Sequence, residues 1–394
     1  MADSIKIGTS GTTFKVGSDD VTAIYLGNTL VYSGGTPHDY SQDYFTIVSE
    51  EDNNTISLKN TGYSTSTSTT AYWKSVVISA STDGGSTWST FTTSRNGTAT
   101  FGTINKGDKI LFKSTTSKFS NTNSAYHYFN STKNINAEGN ILSLFYGDMF
   151  LSYDSLPSIS SKERNRTQQL GCIFKNNAKI ISAKNLILKP TTLRPKCYSN
   201  MFNGCTSLTT APELPATTLE QYCYQGMFQG CSSLTTAPQL PATTLAKNCY
   251  REMFQGCTSL TTATELPATT LATLCYCDMF VGCTSLTTVP QLPATTLAQD
   301  CYHSMFVGCT SLTTVPVLSA TTLEQYCYQF MFQGCTSLSA ITCLATDISA
   351  SNCTINWVNG VAASGTFTKD ANMTSWTTGD NGIPSGWSIQ DYSG

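Results

Sequence analysis

The side chains able to react or ligate in this 394-residue chain are sixteen cysteines, three histidines and a thin set of carboxylates. Eleven of the cysteines stand in two ladders with a 26-residue spacing. One is Cys197, Cys223, Cys249, Cys275, Cys301 and Cys327; the other is Cys205, Cys231, Cys257, Cys283 and Cys309, which Cys335 continues. Such ladders suit disulfides, a metal array or a column of buried thiols. Stacking brings equivalent residues about 5 Å apart, so distance alone permits disulfides. Equivalent side chains in a stack point in parallel, however, and a chain of this size can build a core without staples. The ladders therefore read as buried free thiols acting as small hydrophobes. There is no CxxC pair, Cys275 and Cys277 are only two apart, and His38, His127 and His303 are scattered, so no metal site is read. No Ser/His/Asp order, HExxH, P-loop or dinucleotide fingerprint occurs. Glu213, Glu220 and Glu265 recur by repeat position, whereas a glycosidase needs one carboxylate pair in a cleft. The expectation is a non-enzymatic chain with no catalytic residue, cofactor or metal.

The elements that carry these residues are six copies of a 26-residue unit, CYxxMFxGCTSLTTxPxLPATTLxxx, spanning Cys197–Asn352; the sixth copy drifts after Ser337. A unit of this length cannot bury its apolar face alone, so a strict period means a solenoid. Cys197, Met201 and Cys205 sit four apart, which predicts a short helical face, and Gly204 ends it. Leu208–Ala211 predicts a brief strand that Pro212 and Pro215 restrict. Each coil is thus expected to be a short strand, a turn and a short helical segment.

The positions that vary between copies are mostly polar and are expected to face water. The candidate recognition surface built from them is Asn200, Gln225, Arg251, Asp278, His303 and Gln329. The tyrosine row Tyr198, Tyr224, Tyr250, Tyr276, Tyr302 and Tyr328 is expected to pack half-buried. A glycan-stacking surface is the sharper alternative for it.

The repeated MFxGCTSLTTxPxLPATTL resembles the BspA-like leucine-rich repeats of gut bacteria and of the phages that infect them, over residues 165–352. That resemblance implies a curved solenoid used on surfaces for adhesion and recognition. The segment VTAIYLGNTLVYSGG, within residues 1–35, is similar to short N-terminal β-modules of tailed-phage structural proteins, crAss-like phages among them. It implies an attachment end that docks on other virion proteins. Ser81, Asp83, Gly85, Thr87 and Trp88 fit SxDxGxTW, which resembles the Asp-box of sialidases. In that family the motif is a structural hairpin turn. A single copy, without a sialidase's arginine set, implies no sialidase activity.

The expected fold class is mainly β with short helices. Residues 1–35 form an N-terminal β-module and 38–135 a β-sandwich, with strands at Tyr44–Val48, Thr55–Leu58, Ser75–Ala80, Ser86–Thr92, Gly97–Ile104 and Lys109–Lys113. Ser64–Thr70 is a low-complexity loop. Residues 136–196 form a linker and N-terminal solenoid cap, with a buried strand at Ile141–Phe145, a basic run at Lys162–Arg166 and a degenerate repeat from Asn176 to Leu193. Six leucine-rich repeats follow over 197–352. Residues 353–394, rich in Trp357, Trp376 and Trp387, form a C-terminal cap; a sugar-binding aromatic patch is the alternative.

Only 12% of residues are charged, which points to an extracellular- or virion-type β-rich protein rather than a cytosolic enzyme. The net charge of −3 excludes a strongly basic nucleic-acid binder. The charge is uneven, +9 over residues 106–196 and −6 over the repeats. The start, MADSIKIG, lacks the regions of a secretory signal, and no run reaches transmembrane length. The combined expectation is a head or tail fibre or decoration protein of a tailed phage. It would be assembled in the host cytoplasm and carried on the virion, and would bind a host-surface glycan or protein through its repeats. A homo-oligomer is expected, as in many fibres, although no heptads specify its order. The alternatives are a bacterial cell-surface adhesin of the same repeat family and a glycan-processing enzyme.

Overall fold

A computed structural model describes the backbone at residues 15–16, 19–20, 23–26 and 29–33, and the chain at 39–61, 75–94, 96–116, 119–122, 125–158 and 169–393. The low-complexity loop Ser64–Thr70, the basic run Lys162–Arg166 and His38 lie outside the described residues. The chain is mainly β and divides into two compact units, Met1–Tyr40 and Ser41–Gly394.

In the first unit, β1 (Lys15–Val16) pairs antiparallel with β2 (Asp19–Asp20). Strand β3 (Ala23–Leu26) pairs antiparallel with β4 (Thr29–Ser33), Leu26 opposite Thr29 across a two-residue connection.

The second unit begins with two packed sheets. Its strands are β5 (Phe45–Ser49), β6 (Asn54–Asn60), β7 (Val77–Ser81), β8 (Ser89–Thr92), β9 (Thr98–Ile104), β10 (Lys109–Lys113), β11 (Ser120–Thr122), β12 (Ala125–Ser131), β13 (Ile135–Asn140), β14 (Ile180–Ser182) and β15 (Leu186–Ile187). One sheet runs β14-β13-β5-β10-β7-β8, with β15 also on β13; the other runs β11-β12-β6-β9. Alternation places Ala99 and Phe101 of β9 inward, and a register shift between Thr100 and Gly102 brings Ile104 inward as well. Across the interface Phe101 meets Phe112 at 4.9 Å, and Phe129 meets Phe112 at 5.0 Å and Phe45 at 5.1 Å. These close, tilted ring pairs fill the space between the sheets.

Strands β12 and β13 carried no clear strand signal in the sequence. The parallel pairing of β13 with β14 and β15 joins this sheet directly to the chain that leads into the repeats. The strand expected at Ile141–Phe145 is instead a turn and the short helix α1 (Ser143–Tyr146). Its apolar residues are buried as expected. The Asn140 side chain accepts a hydrogen bond from the Leu142 amide at 3.0 Å and turns the chain there, as an Asn ahead of a turn does.

In the repeats the expected helical segment is absent. CYxxMFxG is a run of consecutive turns in which every fourth residue is left-handed, as at Tyr222, Gly226 and Gly230, or Leu274, Asp278 and Gly282. The amides alternate in role. Tyr198, Asn200, Phe202 and Gly204 donate to carbonyls of the next coil, at Cys223, Gln225, Met227 and Gln229. Ser199, Met201, Asn203 and Cys205 donate back three residues within their own coil. The fourfold spacing of apolar residues looked helical because the turn run shares that period. An α-helix would have sent every amide back four residues in its own coil and left none to join neighbours. The expected strand shrinks to isolated bridges between threonines, Thr236↔Thr262↔Thr288 in one row and Thr218↔Thr244↔Thr270 in another.

Stacking puts identical residues above one another. Tyr224 and Tyr250 rings lie 5.8 Å apart, and Phe228 and Phe254 rings 5.7 Å, both nearly parallel. The tyrosines are fully buried rather than half-buried, which removes the glycan-stacking alternative for that row. All sixteen cysteines are free and buried. The thiols of the second ladder donate to the phenylalanine carbonyl of the preceding coil, Cys231 to Phe202 at 3.2 Å and Cys257 to Phe228 at 3.2 Å.

The ladder extends beyond the six recognised copies. Leu170, Cys172, Phe174 and Asn176 donate to Cys197, Ser199, Met201 and Asn203, and Phe174 stacks on Phe202, 28 residues on. At the other end Phe330, Phe332 and Gly334 donate to Ile355, Trp357 and Asn359. The stack closes on the parallel strands β16 (Ala340–Cys343), β17 (Thr366–Lys369) and β18 (Ser388–Asp391). Trp357 and Trp387 are buried there, and Trp376 stacks on Trp357 at 5.6 Å, so these rings serve the core rather than a sugar-binding face.

Two stability predictions follow from this core. Among the described residues the Tyr250 hydroxyl is buried without a hydrogen-bond partner, so Tyr250→Phe should change unfolding free energy by no more than about 1 kcal/mol. Tyr250→Ala, which empties a ring-sized space, should cost about 3–5 kcal/mol in denaturant titration. Burial raises the Cys197, Cys249 and Cys301 thiols from 9.0 to about 12. Above pH 9 the unfolded state therefore loses protons that the folded state keeps. Stability should be at its full value below about pH 9 and fall through the window up to about 12. Each such thiol steepens the loss by about 1.4 kcal/mol per pH unit, measurable as a falling unfolding midpoint.

Candidate functional site

The variable residues after Cys-Tyr form two adjacent columns. The first is Ser199, Gln225, Arg251, Cys277, His303 and Gln329. The second is Asn200, Gly226, Glu252, Asp278, Ser304 and Phe330, all left-handed with φ between 55° and 59°. Amides of the second column bind carbonyls of the first in the next coil, Glu252 to Cys277 at 3.0 Å and Asp278 to His303 at 2.9 Å. The backbone therefore fixes these neighbours in register before any side chain interacts.

Not all of these positions face water. Asn200 is buried, its amide donating to the Ser199 hydroxyl at 2.9 Å, and so lies outside any recognition surface. Gln225 and Gln329 are half-buried. The middle coils bring three of the expected residues together. Arg251 pairs with Glu252 at 2.9 Å and reaches Asp278 Oδ2 at 3.7 Å. Cys277, buried, donates to Asp278 Oδ2 at 3.1 Å and lies 3.8 Å from His303 Nδ1. The His303 ring stands edge-on to Phe330 at 5.7 Å. Among the described residues Cys277, Asp278 and His303 form one group of possible metal ligands, all within 4.8 Å of one another.

The Cys277 thiol is pushed well up, first by burial and then by the Asp278 carboxylate, with Arg251 only partly offsetting them. It is a protonated thiol, not an activated nucleophile. Nor does the geometry match a Cys–His–Asp relay, since the carboxylate holds the thiol rather than orienting the imidazole. Sequence reading missed Cys277 and Glu252. The signal was present: Cys277 and His303 are 26 residues apart, so the period that stacks the coils also sets them side by side. His127 lies elsewhere, bonded to Thr93 Oγ1 at 2.9 Å and the Phe119 carbonyl at 2.9 Å, and burial lowers its pKa.

No family model matches the chain, and no curated protein matches it either.

The hairpin joining β7 and β8 holds the second motif. Asp83 Oδ1 accepts the Thr87 amide at 2.9 Å and the Ser81 hydroxyl at 2.7 Å, while Asp83 Oδ2 accepts the Thr87 hydroxyl at 2.6 Å. Ser81 Oγ takes the Gly85 amide at 2.9 Å, and the Trp88 indole donates to the Gly85 carbonyl at 3.0 Å. Gly85, at φ +93°, is where only glycine turns without strain. Trp88 packs on Tyr44 at 5.0 Å and carries the Lys113 ammonium over its ring at 4.1 Å. Lys113 and Tyr44 both bind Asp148, at 2.7 and 2.6 Å, and burial with that contact raises Tyr44 to about 12. Every polar group of the motif is spent on its own turn, so the hairpin is an architectural piece.

Hydrogen bonds from the Thr87 hydroxyl and amide, then from Ser81, lower Asp83 from 3.8 to about 2. The carboxylate is favoured in the folded state above about 3.8, and that preference is lost as pH falls through 2. A carboxyl NMR titration should place the Asp83 midpoint near 2, and Thr87→Val should move it back toward 3.8.

Proposed function

We propose that the chain is a non-enzymatic structural protein of a tailed bacteriophage, a fibre or decoration protein of head or tail. Its N-terminal residues dock on other virion proteins. Its repeats form a leucine-rich-repeat solenoid of the BspA-like kind, which presents a surface to a host glycan or protein. The observation that carries this reading is the ridge formed by Arg251, Glu252, Asp278 and His303. There, unlike polar side chains gather beside the repeated Cys, Tyr, Met and Phe positions that form the core. A rigid, stacked scaffold that carries unlike polar side chains at partly exposed positions suits recognition, since little ordering entropy is lost on binding. The likeness of the N-terminal segment to phage attachment modules supports the docking role. No helix of the described residues is long and apolar enough to cross a membrane.

Binding of the purified protein to intact candidate host bacteria tests the proposal. Full-length protein and a form lacking residues 1–35 should bind saturably with equal affinity. Arg251→Ala combined with Asp278→Ala should weaken both by about tenfold or more, roughly 1.4 kcal/mol. Absence of binding by either form would point instead to a purely structural role inside the particle.

A further inference from the structure

Cys277 sits in a column where the other coils carry Ser, Gln, Arg or His, and it is the only thiol of that column. It is also the thiol placed against both a carboxylate and an imidazole. The second-ladder thiols differ, each donating to a backbone carbonyl of the preceding coil.

We propose that Cys277 Sγ, Asp278 Oδ2 and His303 Nδ1 bind a zinc ion. In a tetrahedral site with Zn–S of about 2.3 Å and Zn–N or Zn–O of about 2.0–2.1 Å, ligand atoms lie about 3.5 Å apart. The two separations from sulfur, 3.1 Å to the carboxylate and 3.8 Å to the imidazole, bracket that value, and all three ligand atoms lie within 4.8 Å of one another. A thiolate and a carboxylate balance the charge of the ion, and binding releases the thiol proton to solvent. Mixed S, N and O donors favour zinc over magnesium or calcium, which take oxygen ligands. Three protein ligands leave a fourth position to water.

The site is preorganised by the backbone. The Asp278 amide bound to the His303 carbonyl at 2.9 Å holds the two coils in register. Arg251 does not block it, because its guanidinium is nearer Glu252, at 2.9 Å, than Asp278, at 3.7 Å. The proposal shares residues with the recognition ridge but does not rest on host binding, and its test reads metal alone.

The test uses full-length protein freed of metal by a chelator, then titrated with Zn²⁺ by calorimetry and with Co²⁺ by absorption. The expected result is one ion per chain, with a thiolate-to-cobalt charge-transfer band. Cys277→Gln and His303→Gln introduce the residue that the coils at Gln225 and Gln329 already carry at that position, so the fold should persist, as checked by circular dichroism and unfolding midpoint without metal. Each should weaken binding more than about 100-fold, beyond the loss of an outer-shell partner. Asp278→Asn should weaken binding while keeping the thiolate band. The proposal is overturned if wild-type protein binds no stoichiometric ion, if cobalt shows no thiolate band, or if both glutamine variants retain full affinity.

Discussion

The fold of the repeats depends on how backbone amides are divided. Within each turn run, alternate N–H groups close turns in their own coil while the others cross to the next coil. Buried backbone groups must be paired, and this alternation gives each N–H of the run a backbone carbonyl. The division requires a left-handed residue every fourth position. Gly204 and Gly230 adopt that conformation freely, whereas Tyr222, Leu274 and Phe330 carry its cost. That cost is tolerable because each such residue belongs to a coil locked on both sides. Side chains then follow the backbone: tyrosine over tyrosine, phenylalanine over phenylalanine, thiol over thiol.

Much of this was legible in the sequence. The 26-residue period named the stack and its register, and the invariant Cys, Met, Phe and Leu positions named the core. The alternating residues of β9 and β10 marked themselves as strands. What failed did so for identifiable reasons. A four-residue spacing of Cys197, Met201 and Cys205 is shared by a helix and by a run of turns, and only the hydrogen-bond partner distinguishes them. Cys172 and Phe174 belong to a coil of 28 residues, so a search at 26 passes over them. Ile141–Phe145 is as apolar as a strand, but the Asn140 side chain bends it into a turn.

The candidate site was half legible. Arg251, Asp278 and His303 stand out as departures from the consensus, and the structure gathers them. Asn200 departs equally and is buried, its side-chain amide held by the Ser199 hydroxyl. Cys277 was hidden among fifteen other cysteines. Its distinction is its column, which holds polar residues elsewhere, and not its element.

The turn-run hydrogen bonds that cross between coils all point one way, N–H toward the C-terminal end and C=O toward the N-terminal end. That side of the stack is therefore polar, with acceptors at its start and donors at its finish, whereas across the threonine rows amides such as Thr261 and Thr287 donate the other way, to Thr235 and Thr261 of the preceding coil. Each face meets its complement. The Phe119 and Phe129 amides cover the Gln169 and Ile173 carbonyls, while the Asp380 carbonyl and Asn381 Oδ1 receive the Val358 and Asn356 amides. Stripped of those covers, the two ends of separate molecules would fit each other, donor to acceptor, but neither end would fit its own kind. A head-to-tail contact of that sort is heterologous, so it would build a ring where the rotation closes and an open filament where it does not, rather than stop at a two-fold dimer. The flanking segments thus pair the carbonyls and amides that the turn run leaves open at its two ends.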